Sequence, residues 1–244
     1  MSVPKNWPSH LPYLTAPLLQ PKVLSPSQIS LLQTKPASSS GSSSETEIIP
    51  SSATLSPCPL VRIQPIHDTG HPANGQFGLF AARDLKPGTF IVAYLGRVHP
   101  SSTTDPESDY DLWLDRDADL AVDASREGNE ARFVNDYRGV KARPNAEFGT
   151  AWCERWRQLC VGFWVVGHAG GKGKQAGIRK GEEILVSYGK GFWGVRMAEA
   201  GADAGVEGIH GEISQGEKGN YLLYSRDLYM NVPTTEQQQQ NTLL

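Results

Sequence analysis

Residues 128–145 read GNEARFVNDYRGVKARPN, crowding asparagine amides, arginine guanidiniums and the rings of Phe133 and Tyr137 into a segment with no helical or strand period. An amide both donates and accepts hydrogen bonds, and a guanidinium offers donors in a fixed fork. A loop so furnished is expected to line a cofactor pocket.

Other spacings that could carry chemistry point elsewhere. His67 and His71 in HDTGH stand i, i+4 apart, as on a zinc-binding helix, but Gly70 and Pro72 oppose a helix there, so a turn is expected instead. Asp115, Asp117 and Asp119 imitate the start of a calcium loop, yet Leu120 takes the place of its glycine and Arg126 that of its closing glutamate; a hairpin tip is expected. The loop GHAGGKGKQAG never reaches Gly-Lys followed by Ser or Thr, so it reads as a hairpin connection and not a phosphate loop. GQFGLF lacks the third glycine and the βαβ setting of a dinucleotide fingerprint. No metal site is expected.

The elements that must position these residues have a β rhythm. FGLFAA (77–82) leads into a turn at Pro87-Gly88, and TFIVAYLG (89–96) is β-branched and aromatic. YDLWLD (110–115) and DLAVDA (119–124) alternate and should pair across an Asp-rich turn. LCVGFWVVG (159–167) is a continuous apolar strand, EEILVSYG (182–189) closes the set, and only WCERWRQL looks locally helical. Around this lie biased segments: residues 1–57 are Pro/Ser-rich and expected to be a disordered tail, and 198–244 turn acidic and then glutamine-rich, a flexible end. One domain, 58–197, remains between them.

Composition narrows the classes. No apolar run approaches the roughly 20 residues of a bilayer span, and the amino terminus lacks a secretory pattern, so an intracellular protein is expected. Three cysteines with no CxxC spacing argue against a disulfide framework or a zinc cluster. A net charge of −3 gives no pull toward nucleic acid or membrane.

Four segments, in order, resemble the SET domain of protein lysine methyltransferases. GQFGLFAARDLKPG is similar to its first glycine-containing strand and turn, and AYLG to its Tyr-x-Gly element. VDASREGNEARFVND with the later Pro144-Asn145 is similar to its signature segment, and RKGEEILVSYG to its closing motif. The resemblance implies a mostly β fold with short helices, the β-clip or SET fold, in which several small sheets of short strands surround a pseudoknot-like crossing. It also implies S-adenosyl-L-methionine on one side of that crossing and a channel for a protein's lysine on the other.

Residue by residue, the resemblance makes Tyr188 catalytic, its hydroxyl beside the transferred methyl. Gln76, Phe77, Gly78, Tyr110, Asn135 and Asp136 would hold the cofactor, with Asn135 and Asp136 at the adenosyl group. Tyr94 would line the lysine channel and Phe192 or Trp193 would close it, while Arg132 and Phe133 would brace the crossing. The implied function is methyl transfer to a lysine amine of a protein substrate, histone favoured, with the nucleus favoured over the cytoplasm. The alternative is a catalytically inactive SET-like module that binds proteins. Asp136, standing where the family has histidine, is the ground for that alternative. The stretch from Asn135 to Pro144-Asn145 is four residues longer than in the family pattern, and Val186 stands where many members carry Tyr or Phe.

Overall fold

A computed structural model describes residues 3–36, 46–166 and 177–188. The strands are short: β1 (Leu18–Leu19), β2 (Glu47–Ile49), β3 (Val61–Pro65), β4 (Phe77–Ala81), β5 (Phe90–Tyr94), β6 (Arg97–His99), β7 (Asp111–Asp115), β8 (Leu120–Asp123), β9 (Asn135–Asp136), β10 (Ala146–Cys153), β11 (Gln158–Val165) and β12 (Leu185–Val186). They form four small sheets, ordered β1-β6-β8-β7, β2-β10-β11-β5, β12-β9 and β3-β4. Among the described residues, one helix, α1 (Pro26–Gln33), and short 3-10 turns complete a mostly β architecture, as the sequence implies.

The expected β7–β8 hairpin forms, antiparallel, with Leu112 opposite Val122 and its Asp-rich turn between them. Its buried positions join a core made by Leu79, Ile91, Val98, Phe163, Ile184 and their neighbours. Burying each such side chain contributes about 1.5–3 kcal/mol, so many short strands share one interior rather than each being stable alone.

Two expectations are corrected. WCERWRQL is no helix: Trp152 and Cys153 end β10, Gln158 begins β11, and the chain reverses between them with Arg157 in the left-handed region at φ 51°. Eight residue pairs from Ala146↔Val165 to Cys153↔Gln158 hold this hairpin, and flanking β2 and β5 extend it, so pairing across the sheet overrides the local pattern.

The second correction concerns residues 1–57, whose described parts, 3–36 and 46–57, are built into the fold. Ser25 caps α1 with a capping box, its side chain accepting from the Gln28 N–H while the Gln28 side chain accepts from the Ser25 N–H. Leu32 is fully buried, and Gln28 Nε2 donates to the Ala118 and Asp119 carbonyls at the β7–β8 turn. Upstream, Trp7 packs edge-on against Tyr13 and Phe133, with centroids 5.1 and 5.9 Å away. The Tyr13 hydroxyl donates to Glu130, a buried carboxylate that also accepts from the Cys58 N–H. Pro/Ser bias hid these few anchors, since a handful of large apolar residues suffices to hold an extended segment.

Candidate functional site

The closing segment Ile184–Tyr188 runs between two parts of the opening loop. On one side β12 pairs in parallel with β9, Leu185 against Asn135 and Val186 against Asp136, and the Tyr137 N–H donates to the Val186 carbonyl. On the other, the Asn145 N–H donates to the Leu185 carbonyl, 3.0 Å away. The loop that leaves at Asn135 and returns at Asn145 therefore straddles the closing segment. This is the crossing that the sequence implies. Asp136 locks it: its Oδ2 accepts from the Tyr188 N–H at 2.6 Å and from Arg138 Nη1 at 2.9 Å, and its Oδ1 accepts from the Arg138 N–H at 2.8 Å.

Three asparagines of the loop now separate by role. Asn129 acts as a strand surrogate, accepting from the Leu95 N–H and donating to the Ala93 carbonyl. Asn145 does the same for the closing segment, accepting from the Leu185 N–H at 2.8 Å and donating to the Glu183 carbonyl at 2.7 Å. Asn135 differs. Its Nδ2 donates to Glu183 Oε1 at 2.9 Å and, more weakly, to the Phe77 carbonyl at 3.4 Å. Its side-chain oxygen meets no donor among the described residues.

Beside it lies a cavity of about 650 Å³, within the range of small-molecule sites. Gln76, Phe77, Tyr94, Tyr110, Asn135, Asp136 and Tyr188 all line it, so residues far apart in the chain converge on one space. Gly78 does not line it; it sits buried one residue inside β4. A Cβ on Gly78 would meet Glu183 Oε1 at 2.5 Å, so the missing side chain leaves room for that carboxylate. Phe192 and Trp193 lie outside the described residues.

Two of the tyrosines that line the cavity are held by backbone acceptors. Tyr188 donates its hydroxyl to the Val134 carbonyl and Tyr94 donates to the Tyr110 carbonyl, each at 2.6 Å. Burial, followed by the charge of Asp136, raises the Tyr188 hydroxyl above its ordinary value. Burial, followed by the charge of Asp123, does the same for Tyr94. Both remain phenols at neutral pH, able to accept from an entering group but not to take its proton as phenolates. Arg132 stacks 4.0 Å over the Tyr110 ring and donates from Nε to the Ala124 carbonyl, and it lines the cavity together with Phe133.

Sequence reasoning missed several wall residues. Phe148 and Phe163, 5.6 Å apart between centroids, line the same cavity as Tyr94 and as Val186, the position already singled out in the sequence. His71 does sit in a turn, but its ring also reaches across to Glu183, Nε2 to Oε2 at 3.0 Å, and both side chains are 7% exposed. The Ala73 N–H donates into His71 Nδ1, which places the ring hydrogen on Nε2. Pro8, His10 and Leu11 form a further wall from the segment expected to be a tail. The one signal for it was the apolar anchoring of Trp7 and the capping pair at Ser25 and Gln28.

Among the described residues, no cluster of His, Cys, Asp and Glu could hold a metal ion, and no helix is long and apolar enough to cross a membrane.

A family model of the SET domain matches residues 76–162. No curated protein matches the chain. Among solved structures, it is similar to the Chaetomium thermophilum polycomb repressive complex 2 in an autoinhibited conformation bound to S-adenosylmethionine, at 22% identity and a TM-score of 0.41, covering 59% of this chain and 17% of that one. A crystal structure of the same complex aligns at 20% identity and a TM-score of 0.40, covering 53% of this chain and 15% of that one. This chain thus spans less than a fifth of the length of those it matches.

Proposed function

We propose, from the match of residues 76–162 to the SET family model, that the protein transfers a methyl group from S-adenosyl-L-methionine to the side-chain amine of a lysine in a protein substrate. The observation that carries the proposal is one cavity lined together by Asn135, Phe77, Tyr188, Tyr94, Phe148, Phe163 and Val186. Its polar side chains suit a nucleoside and its aromatic rings suit a flexible aliphatic stem ending in a cation.

The residues present fit the cofactor. Asn135 offers a side-chain oxygen that receives no donor among the described residues, and Gln76, Phe77 and Tyr110 add to the surrounding wall. When bound, the cofactor supplies an electrophilic methyl on a sulfonium. The protein's part is alignment, because an in-line displacement gains most from holding nitrogen, methyl and leaving group on one axis. A lysine amine with an ordinary pKa of about 10.4 must lose its proton before it attacks. An apolar wall favours that loss by disfavouring the charged form. Tyr188 and Tyr94, their own hydrogens committed to Val134 and Tyr110, can only accept from the amine and so orient it.

Asp136 supports the catalytic reading over the inactive module. Its carboxylate takes three donors and ties Tyr188 to the crossing, so the residue that departs from the family pattern has a defined task at the site. Histone is the favoured substrate, and with it a nuclear setting.

The test is to incubate the full chain with methyl-labelled cofactor and core histones, then with a panel of lysine peptides, and to count label in protein. Tyr188→Phe is expected to reduce the rate about 100-fold, the scale for removing one positioned hydrogen-bonding group. No label above a no-enzyme control in any substrate, with the cofactor bound, would turn the assignment to the protein-binding module.

A further inference from the structure

Glu183 lies outside the segment matched by the family model and belongs to none of the roles assigned above. Its two oxygens receive different donors: Oε1 takes Asn135 Nδ2 at 2.9 Å and Oε2 takes His71 Nε2 at 3.0 Å. The backbone of Glu183 bridges to Phe80 of β4, and Gly78 lets the carboxylate approach that strand closely. The carboxylate is thus fixed from below by the strand and from the side by a histidine whose own tautomer is set by the Ala73 N–H.

An ionised carboxylate accepts and never donates, and so does the Phe77 carbonyl. Both face the same end of the Asn135 amide, which therefore must be its NH2 end. Among the described residues nothing donates to the amide oxygen, which is left for whatever occupies the cavity, with no freedom to exchange places with the nitrogen. From this geometry we infer that Glu183 is a positioning residue for ligand selection: it turns Asn135 into an obligate acceptor, so that the site selects a ligand with an N–H donor at that point. The inference rests on the S-adenosyl ligand proposed above. Such a ligand has two donors of the required kind, the exocyclic amine of adenine and the α-ammonium of its amino-acid end.

Replacing Glu183 with glutamine leaves size and shape nearly unchanged but supplies one acceptor and one donor in place of two acceptors. His71 Nε2–H and Asn135 NH2 then compete for a single carbonyl. Wherever His71 takes it, Asn135 must invert, and its NH2 faces the cavity.

The experiment measures binding to the full chain by calorimetry with three probes: S-adenosylhomocysteine, S-inosylhomocysteine, in which oxygen replaces the exocyclic amine, and the analogue of S-adenosylhomocysteine lacking the α-amino group. The wild-type chain is expected to bind one of the two altered probes about 10- to 100-fold more weakly than the parent, the cost of leaving one buried acceptor unpaired. Loss with the inosyl probe identifies the adenine amine as the donor, and loss with the deaminated probe identifies the ammonium. In Glu183→Gln that ratio is expected to fall below about threefold, since the amide is no longer held in one sense. Glu183→Asp, which keeps a carboxylate, provides a second variant and is expected to retain discrimination better than the glutamine variant.

Equal binding of all three probes by the wild-type chain would overturn the inference while leaving the cofactor assignment intact. So would an unchanged ratio in folded Glu183→Gln. Failure of S-adenosylhomocysteine itself to bind would overturn the cofactor assignment and the inference together.

Discussion

Two histidine–carboxylate pairs in this protein have the same 3.0 Å separation and behave as different chemical objects. At the cavity wall, His71 Nδ1 receives the Ala73 N–H, so the neutral ring already satisfies both nitrogens by donating Nε2–H to Glu183. Between β6 and β7, His99 Nδ1 faces the Pro100 carbonyl, which can only accept, while Nε2 faces Asp111 Oδ1. Burial raises the Asp111 carboxyl, while its hydrogen bond to His99 and the charge of that ring oppose the rise; with Asp111 ionised, both ring nitrogens donate and the ring carries a positive charge. Burial pushes the His99 ring downward, but the hydrogen bond and charge of Asp111 and the Pro100 carbonyl prevail and hold its pKa above the ordinary value. The partner of the second nitrogen, not the distance to the carboxylate, decides which kind of pair results.

The sharpest way to break the comparison is to remove one carboxylate at a time. Asp111→Ala strands a cationic ring among side chains that are 4% exposed or less, and is expected to cost about 3–5 kcal/mol. Glu183→Ala strands only neutral donors beside a cavity that solvent can enter, and is expected to cost about 1–3 kcal/mol. Urea denaturation of both variants gives the two numbers directly; equal costs would mean that the two pairs share one charge state.

Gly78→Ala sharpens the cavity pair. The added methyl would meet Glu183 Oε1 at 2.5 Å, Phe80 Cε2 at 3.0 Å and Ile66 Cδ1 at 3.1 Å, an overpacking worth about 1–2 kcal/mol. In a Glu183→Ala background the tightest of these contacts is gone, and the same substitution is expected to cost less by about 1 kcal/mol. Purely additive effects would show that Gly78 and Glu183 do not share that space.

The smallest expected effect is with pH. His99 has a folded pKa above its unfolded value of about 6.5, so its stabilisation is fully present below about pH 6.5 and is lost as pH rises through the folded value. The urea midpoint of the wild-type chain minus that of His99→Gln should therefore shrink as pH is raised from 6 to 9. Asp111 and, more distantly, Asp123 are the charges that set the size of this change. A difference that does not vary with pH would remove the imidazolium from the account.

How much of this was legible in the chain depended on whether a signal was local. The β7–β8 hairpin announced itself by alternation and an Asp-rich turn. The hairpin around Glu154–Arg157 looked helical because its side-chain spacing fits both periods, and only β2 and β5 on either side select the strand. The amino-terminal segment looked empty because Trp7, Leu24 and Leu32 are sparse in a polar background, and nothing in their spacing names the surface that buries them.

The motif residues, in order, carried the mostly β class and the expected crossing, together with a short roster of polar and aromatic residues for one pocket. They could do so because backbone propensity, turn chemistry and side-chain type are properties of short stretches. Only the tertiary structure decided that Asn129 and Asn145 serve the backbone while Asn135 serves the cavity, and that Asp136 secures Tyr188. It alone gave the Nδ1 atoms of His71 and His99 different partners, a donor in one case and an acceptor in the other. Those outcomes depend on which donor or acceptor arrives from a distant part of the chain, and hydrogen-bond direction is fixed by the partner, not by the residue type.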